Sequence, residues 1–251
     1  MTIAKELDKE LDKQLDSPQN IEENAIFPLV PPSDLYSDEP PLETELHLEQ
    51  IMLLIKCLKW LWRDRNDFYA AGNLTIYYSQ NKKKTEDFRG PDFFVVLDTE
   101  KKNRKSWVVW EEDGKYPHVI LEILSESTAN TDRGLKKKLY QDTFRTHDYF
   151  WFDPYTLEFA GFHLVDGKYQ ALKPNNQGHL WSQQLNLYIG IYQGLLRFFT
   201  ADGELVATPE EDADFERQQK EYERQQKELE QQKAERLAVK LRELNIDPDT
   251  I

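Results

Sequence analysis

Two carboxylates stand beside apolar runs that are typical of buried β-strands. Glu122 interrupts the run HVILEIL, and Asp92 directly precedes the run FFVVL. Because side chains alternate across a strand, Glu122 shares its face with Ile120 and Leu124. An ionised carboxylate between apolar neighbours costs several kcal/mol unless it is paired, hydrogen-bonded or bound to a metal. The sequence therefore predicts a compensating partner for Glu122.

A divalent metal is the partner that would give these two residues a chemical task. Asp92, taken alone at the mouth of a strand, is more often an ordinary turn residue than a ligand. Together with Glu122 on a neighbouring strand it offers two hard oxygen ligands for Mg²⁺, with Mn²⁺ as the other candidate. Such a metal activates a water and neutralises the charge that builds on a scissile phosphate. The pair thus favours phosphodiester hydrolysis.

A cation normally completes a site of this kind by contacting the phosphate or orienting the water. Lys136 lies in a predicted helix that follows the Glu122 strand, and Tyr140, four residues on, shares its helix face. At least one lysine of the run KKK at 136–138 must face solvent. Ser125 is a donor to the carboxylates or to phosphate, or a residue that shapes the turn.

The elements that must position these residues follow from the hydrophobic periodicity. The pattern predicts a long helix, then five strand-like runs, then the helix that carries Lys136, then further strands. One sheet with helices packed against it, a mixed α/β fold, accounts for this order better than an all-β sandwich. The predicted helices cover residues 42–65, 131–146 and 209–244, and the predicted strands cover residues 68–71, 74–79, 91–98, 107–110, 118–124, 149–153 and 157–165, with a further group over residues 169–172 and 185–199.

The chain divides into three predicted parts. Residues 1–41 form an acidic, proline-rich extension, residues 42–208 the globular domain, and residues 209–251 a charged region dominated by one long helix. In that helix Phe215 and Tyr222 stand seven residues apart, which is the spacing of a coiled coil. Gln and Arg fill many of the other seam positions, so a coiled-coil homodimer and a single solvated helix both remain open.

Composition limits the classes of partner. The net charge is −14, yet residues 51–200 hold 18 acidic and 21 basic residues, so the middle of the chain is mildly basic. Its lysine-rich runs at 82–84, 101–105 and 136–138 can meet phosphates or lie on solvated surfaces. The chain has one cysteine, no apolar leader and no uninterrupted apolar run of membrane-spanning length. We therefore expect a cytoplasmic protein with no membrane partner and no small-molecule cofactor.

The motifs taken in order resemble those of one known family. GPD at residues 90–92, then ILEILSEST, TDRGLKKKLY and YFWFDP, resemble the Uma-type restriction endonuclease family, a bacterial family within the PD-(D/E)XK nuclease superfamily. The likeness covers about residues 43–165. It implies a restriction-endonuclease-like core, with a central sheet flanked by helices, and Mg²⁺-dependent cleavage of DNA.

The resemblance also assigns roles by position. It makes Asp92 and Glu122 metal ligands, with the main-chain carbonyl of Ile123 as a third. The superfamily pattern places a lysine two residues after the acid, where this chain has Leu124, and in the family Lys136 matches the lysine that stands in. The first helix of such folds contributes a polar group, for which the candidates are Glu45 and His47.

Two other classes remain open at this stage. The domain can be a catalytically silent nuclease fold that binds nucleic acid or a partner protein. Alternatively, Glu122 is a structural carboxylate of a non-enzymatic scaffold and is neutralised by Lys136 or an arginine. Binding of a divalent metal separates these classes, because only the nuclease requires it.

Overall fold

The computed structural model describes residues 35–37, 44–79, 88–125 and 132–243. Helix α1, Glu45–Leu61, opens the globular part. Thr44 caps it, since its hydroxyl accepts the amide N–H of His47 at 3.2 Å. The buried residues of α1 recur at three- and four-residue spacing, as a helix packed on one side requires. They are His47, Gln50, Ile51, Leu54, Cys57 and Leu58.

A six-stranded mixed sheet forms the centre of the molecule. Its spatial order is β1-β4-β6-β7-β8-β9, and only the β6–β7 pair is parallel. A parallel pair needs a crossover connection, and here the chain between β6 and β7 includes a helix. The strands are β1 Phe68–Ala71, β4 Phe93–Leu97, β6 Val119–Ile123, β7 Asp148–Phe152, β8 Phe159–Val165 and β9 Lys168–Ala171.

Two small sheets accompany the central one. The first has the order β3-β2-β5 and the second is the meander β10-β11-β12. A short 3₁₀-helix, Val109–Glu111, follows β5. The strands are β2 Ile76–Tyr77, β3 Phe88–Arg89, β5 Trp107–Val108, β10 Leu180–Ser182, β11 Leu187–Tyr192 and β12 Leu195–Phe199.

The two faces of the central sheet bury separate apolar clusters. One cluster joins α1 and the meander to side chains such as Val119, Leu121 and Ile123. The other joins the first small sheet and the crossover helix to Ile120 and Leu124. The odd and even residues of β6 therefore face opposite clusters, which confirms the alternation expected for this strand.

The crossover helix, residues 132–144, has three parts. Asp132–Lys136 and Tyr140–Phe144 are wound as π-helix, and Lys137–Leu139 as α-helix. It ends at Arg145, whose φ of 56° lies in the left-handed region that terminates many helices. Wide π-turns are frequent at functional sites because they re-aim the side chains on one face.

Helix α2, Pro209–Glu243, extends from the domain and buries none of its residues. Thr208 and Glu211 form a capping box, in which each side chain accepts the other residue's amide N–H at 3.1 and 2.8 Å. Glu211 also binds the buried guanidinium of Arg197 at 2.6 Å. Lys56 and Trp60 of α1 hold the neighbouring acids at 2.9 and 3.1 Å. The first turn of α2 is thus tied to α1 and β12.

This architecture confirms the mixed α/β class with a central sheet, flanking helices and one long C-terminal helix. The predicted run at residues 185–199 is a hairpin of two strands, which turns at Gln193 and Gly194 with φ of 53° and 81°. Strands β3 and β10 lie outside the predicted strand ranges, and β2 and β5 are shorter than expected. No described helix is long and apolar enough to cross a membrane. The three-part domain division stays a prediction, and most of its first part lies outside the described residues.

Candidate active site

The register of β4 against β6 brings the two carboxylates together. Phe93 pairs with Leu121, so Asp92 and Glu122 are the next residues along this antiparallel pair. The amide of Asp92 donates to Glu122 Oε2 at 3.3 Å, and the amide of Ile123 donates to Asp92 Oδ2 at 2.7 Å. The two acids, which the sequence places on neighbouring strands, therefore lie together at one end of the sheet.

The backbone of Asp92 is held by the turn that follows β1. The amide of Asn73 donates to the Asp92 carbonyl at 3.1 Å, and Asn73 has a φ of 46°. A Cβ at Gly72 would lie 2.6 Å from that carbonyl oxygen and 2.2 Å from Ile51. Only glycine permits this close approach of the turn to Asp92 and α1.

Glu122 is fully buried, and its two carboxylate oxygens accept different donors. The hydroxyl of Tyr140 donates to Oε1 at 2.6 Å, and Lys136 Nζ lies 3.2 Å from Oε2. Both donors come from the crossover helix, four residues apart, so the shared face expected from their spacing is present. These contacts offset the desolvation of a carboxylate that packs against the apolar cluster. The predicted partner of Glu122 exists and consists of Lys136 and Tyr140.

The three consecutive lysines occupy three different environments. Lys136 is the one that reaches the carboxylates. Lys137 places its Nζ over the ring of Phe162, 3.3 Å from the ring centroid, and burial lowers its pKa. Lys138 is exposed. Three consecutive positions within one helical turn thus place one lysine beside Glu122, one against an aromatic ring and one in solvent.

His47 also lies beside the two carboxylates. Its Nε2 lies 3.0 Å from Asp92 Oδ1, and the histidine is buried on the first turn of α1. The two atoms are not aligned as a hydrogen bond, and Nε2 is a buried polar atom without a hydrogen-bond partner in the described structure. It is one of five such side-chain atoms in the described part of the chain, and it is the one that adjoins Asp92.

The other predicted site residues lie at different distances from this centre. Glu45 is exposed on the first turn of α1. Ser125 is buried two residues beyond the end of β6. The amide of Ile123 contacts Asp92, whereas a ligand role for its carbonyl stays a prediction. The lysine run at 82–84 lies outside the described residues.

The polar side chains at this centre include ligand atoms for a small divalent cation. Among the described residues no group of three or more His, Cys, Asp or Glu side chains is arranged to hold a metal. Two side-chain donors are available, Asp92 Oδ1 and the orphaned His47 Nε2, and their separation is 3.0 Å. Adjacent ligands of an octahedral ion with bonds of about 2.1 Å are about 3 Å apart. The pair fits one edge of such a coordination shell, and Glu122 borders it.

Sequence reasoning found most of this centre but placed less weight on His47 than the structure does. A lone histidine at a helix start is commonly a surface or capping residue, and no spacing connects it to Asp92. Gly72 was missed altogether. The only available signal was a glycine followed by Asn at the end of a predicted strand, which is typical of any turn.

Comparison with known proteins gives one family match. The family model described as "Uma2: Putative restriction endonuclease" matches residues 35–200. No curated protein matches the chain. Among solved structures, the crystal structure of a putative nuclease belonging to DUF820 from Anabaena variabilis ATCC 29413 is similar at 13% identity, with a TM-score of 0.43. The match covers 58% of this chain and 76% of that one.

Proposed function

The chain belongs to the Uma2 restriction endonuclease family, and from this premise we propose that it is a metal-dependent endonuclease that hydrolyses phosphodiester bonds of DNA. The observation that carries the proposal is the convergence of Asp92, Glu122 and Lys136 at one end of the central sheet, where a fully buried acid meets a cation. Paired acids that hold a metal ion, with a lysine beside them, can supply the charge stabilisation that phosphodiester hydrolysis needs.

We assign the metal to Asp92, with Glu122 as the second acid, His47 as a side-chain donor and the carbonyl of Ile123 as the predicted main-chain ligand. Mg²⁺ is the expected ion and Mn²⁺ the alternative, since a nitrogen donor suits transition metals better than Mg²⁺. When bound, the ion lowers the pKa of a water and neutralises charge on the scissile phosphate.

The protein residues supply orientation and a positive charge. Tyr140 donates to Glu122 Oε1 and fixes its carboxylate plane, which leaves Oε2 beside Lys136 and the Asp92 amide. The Lys136 ammonium is positioned to stabilise the negative charge of the transition state. Leu124 has no charge to offer at the superfamily's lysine position. Lys136 therefore carries this role in the proposal.

A second candidate is a nuclease-fold domain that binds nucleic acid or a protein without cutting. The observation that favours it is the same ion pair, because Lys136 and Tyr140 already neutralise Glu122 without a metal. A carboxylate with a purely structural role would make the same contacts with Lys136 and Tyr140. The two candidates differ in whether the protein cleaves nucleic acid in the presence of a divalent ion, and we place either activity in the cytoplasm.

The test combines metal titration with cleavage. Calorimetry with Mg²⁺ and Mn²⁺ on the wild type should give a binding isotherm, and plasmid, linear or single-stranded DNA should be cut in the presence of the ion. Glu122→Gln keeps an acceptor for Tyr140 and removes the charge, so it should lose cleavage and weaken metal binding. Glu204→Gln, at an exposed acid, is the matched control and should behave as wild type.

Two results would count against the nuclease. A wild type that binds neither ion removes the metal site altogether. A wild type that binds the ion, and cleaves no nucleic acid offered with it, supports the binding module instead.

A further inference from the structure

Helix α2 contains an internal heptad repeat. Residues 215–221 read FERQQKE, residues 222–228 read YERQQKE, and residues 229–235 read LEQQKAE. In heptad notation the first position, a, is Phe215, Tyr222 and Leu229 in turn, and the fourth position, d, is glutamine in every repeat. Such a repeat defines one stripe along a helix.

The stripe faces solvent along its whole length. Phe215, Tyr222 and Leu229 are 59%, 60% and 44% exposed. An aromatic or leucine side chain gains roughly 1.5–3 kcal/mol on full burial, so three of them on one face favour association. The domain contacts α2 through the acids at residues 210–212, and the described helix beyond this turn carries no buried residue. A partner therefore has free access to the stripe.

We propose that this stripe binds a second copy of the same chain as a parallel, in-register coiled coil. The inference goes beyond the proposed nuclease activity and does not depend on it. The repeat itself identifies the occupant. When two identical helices align in parallel and in register, each a residue (Phe, Tyr or Leu) meets the same residue of the second copy. Each glutamine then faces a glutamine, and the amide of one can donate to the carbonyl oxygen of the other.

The flanking charges decide the orientation. The g positions are Asp214, Glu221, Glu228 and Glu235, and the e positions are Gln219, Gln226, Lys233 and Lys240. In a parallel coiled coil each g residue faces the e residue of the next heptad on the partner. Glu228 then meets Lys233 of the second copy, and Glu221 meets Gln226. An antiparallel pair would place the acids of one chain against those of the other.

The parallel arrangement places both globular domains at the same end of the coiled coil. Since the first turn of α2 is tied to α1 and β12 by Glu210, Glu211 and Asp212, each domain is held at the base of its helix. The three glutamines at d lower the stability of the pair, as polar seam residues do. We therefore expect a dimer that dissociates on dilution.

Analytical ultracentrifugation of the full chain over a concentration series tests the association. The wild type should shift from monomer to dimer as concentration rises. Tyr222→Glu places a charge in the seam and should remain monomeric. Lys227→Gln makes the same change in net charge on the outer face and should dimerise as wild type. A wild type that is monomeric at every concentration, or that forms larger assemblies, overturns the proposal.

Cysteine cross-linking tests the orientation. Gln218→Cys and Gln232→Cys place a thiol at each end of the seam, in two separate variants. Both should form a disulfide between copies under mild oxidation, because a parallel register brings identical d positions within bonding distance. The wild type, whose Cys57 is buried, should form none. Cross-linking of neither variant, or of one alone, rejects the parallel register.

Discussion

The charged side chains at the two ends of the central sheet are paired to different extents. At the end that carries the candidate active site, called the active-site end below, β4 begins and β6 ends. There the Asp92 amide donates to Glu122, and His47 Nε2 lacks a hydrogen-bond partner among the described residues. At the other end, Arg104 ties the loop between β4 and β5 to the segment that follows the 3₁₀-helix. Arg104 binds Glu112 at 2.6 Å and also donates to the carbonyl of Glu100 at 3.0 Å.

The two ends of the sheet differ in which polar groups remain available for a ligand. The Arg104 guanidinium lies over the rings of Tyr69 and Trp107, and its N–H groups donate to the Glu112 carboxylate. Its charge therefore stabilises the fold. At the active-site end Asp92 and Glu122 accept hydrogen bonds but do not form a closed network of charged groups. His47 Nε2, which has no hydrogen-bond partner among the described residues, lies beside Asp92. A group left over by the fold is the one that a metal or substrate can use.

Of the two alternatives left open for the basic run at 101–105, its position in the fold favours a solvated surface. That run follows β4, whereas Asp92 precedes it, and a five-residue strand is roughly 17 Å long. The cluster is therefore at the wrong end of the sheet to meet a phosphate held by the acids. Of the lysine-rich runs in the described residues, only the one at 136–138 reaches the active-site end.

The largest expected effect comes from the lysine at the active-site end. Lys136→Ala should lower the cleavage rate about a hundred- to a thousandfold, the usual value of a contact to transition-state charge of roughly 3–4 kcal/mol. Metal affinity should persist, because Lys136 is not a ligand. Lys137→Ala loses a contact with Phe162 and should cleave nearly as wild type. Single-turnover rates on plasmid DNA with Mg²⁺ measure both, and equal rates for the three proteins would reduce Lys136 to a structural cation.

A smaller effect is expected at His47. Replacing it by alanine removes the orphaned nitrogen beside Asp92, and Mn²⁺ affinity should fall about 10- to 100-fold, the range known for groups that support a metal site. Glu45→Ala, two residues away and exposed, is the control and should not change the isotherm. An unchanged affinity in His47→Ala would show that the nitrogen takes no part in holding the ion.

A third effect concerns stability at the other end of the sheet. His118 Nδ1 accepts the amide N–H of Leu97 at 3.1 Å, and burial, followed by the charge of the stacked His147, lowers the pKa of His118. The unfolded chain therefore binds a proton that the folded chain resists, and stability is lost as pH falls below the ordinary histidine pKa of about 6.5.

His118→Asn separates that titration from the hydrogen bond, because the Asn side-chain oxygen can accept the same N–H. The free energy of unfolding of this variant should depend less on pH between neutral and mildly acidic conditions. Urea denaturation at several pH values measures it. A pH dependence identical to that of the wild type would show that another group carries the acid sensitivity.

The smallest effect is expected from the basic run itself. Replacing Lys101, Lys102 and Lys105 together by glutamine should leave DNA cleavage and its salt dependence unchanged, since phosphate contacts are what make binding depend on salt. A lower salt slope in this variant would show that bound DNA contacts both ends of the sheet.

The sequence alone determined the local part of this arrangement. Alternation along β6 placed Glu122 on an apolar face and required a partner, and the four-residue spacing of Lys136 and Tyr140 placed both on one side of a helix. The mixed fold followed from the order of helices and strands. These inferences succeed because the periods of strands and helices are properties of neighbouring residues.

Only the tertiary structure decided which distant residues meet. The contact of His47 with Asp92 depends on how α1 crosses the sheet, and the pairing of Asp92 with Glu122 depends on the register of β4 and β6. Register and packing angle are set by the whole core, and a shift of one residue would turn Glu122 to the opposite face.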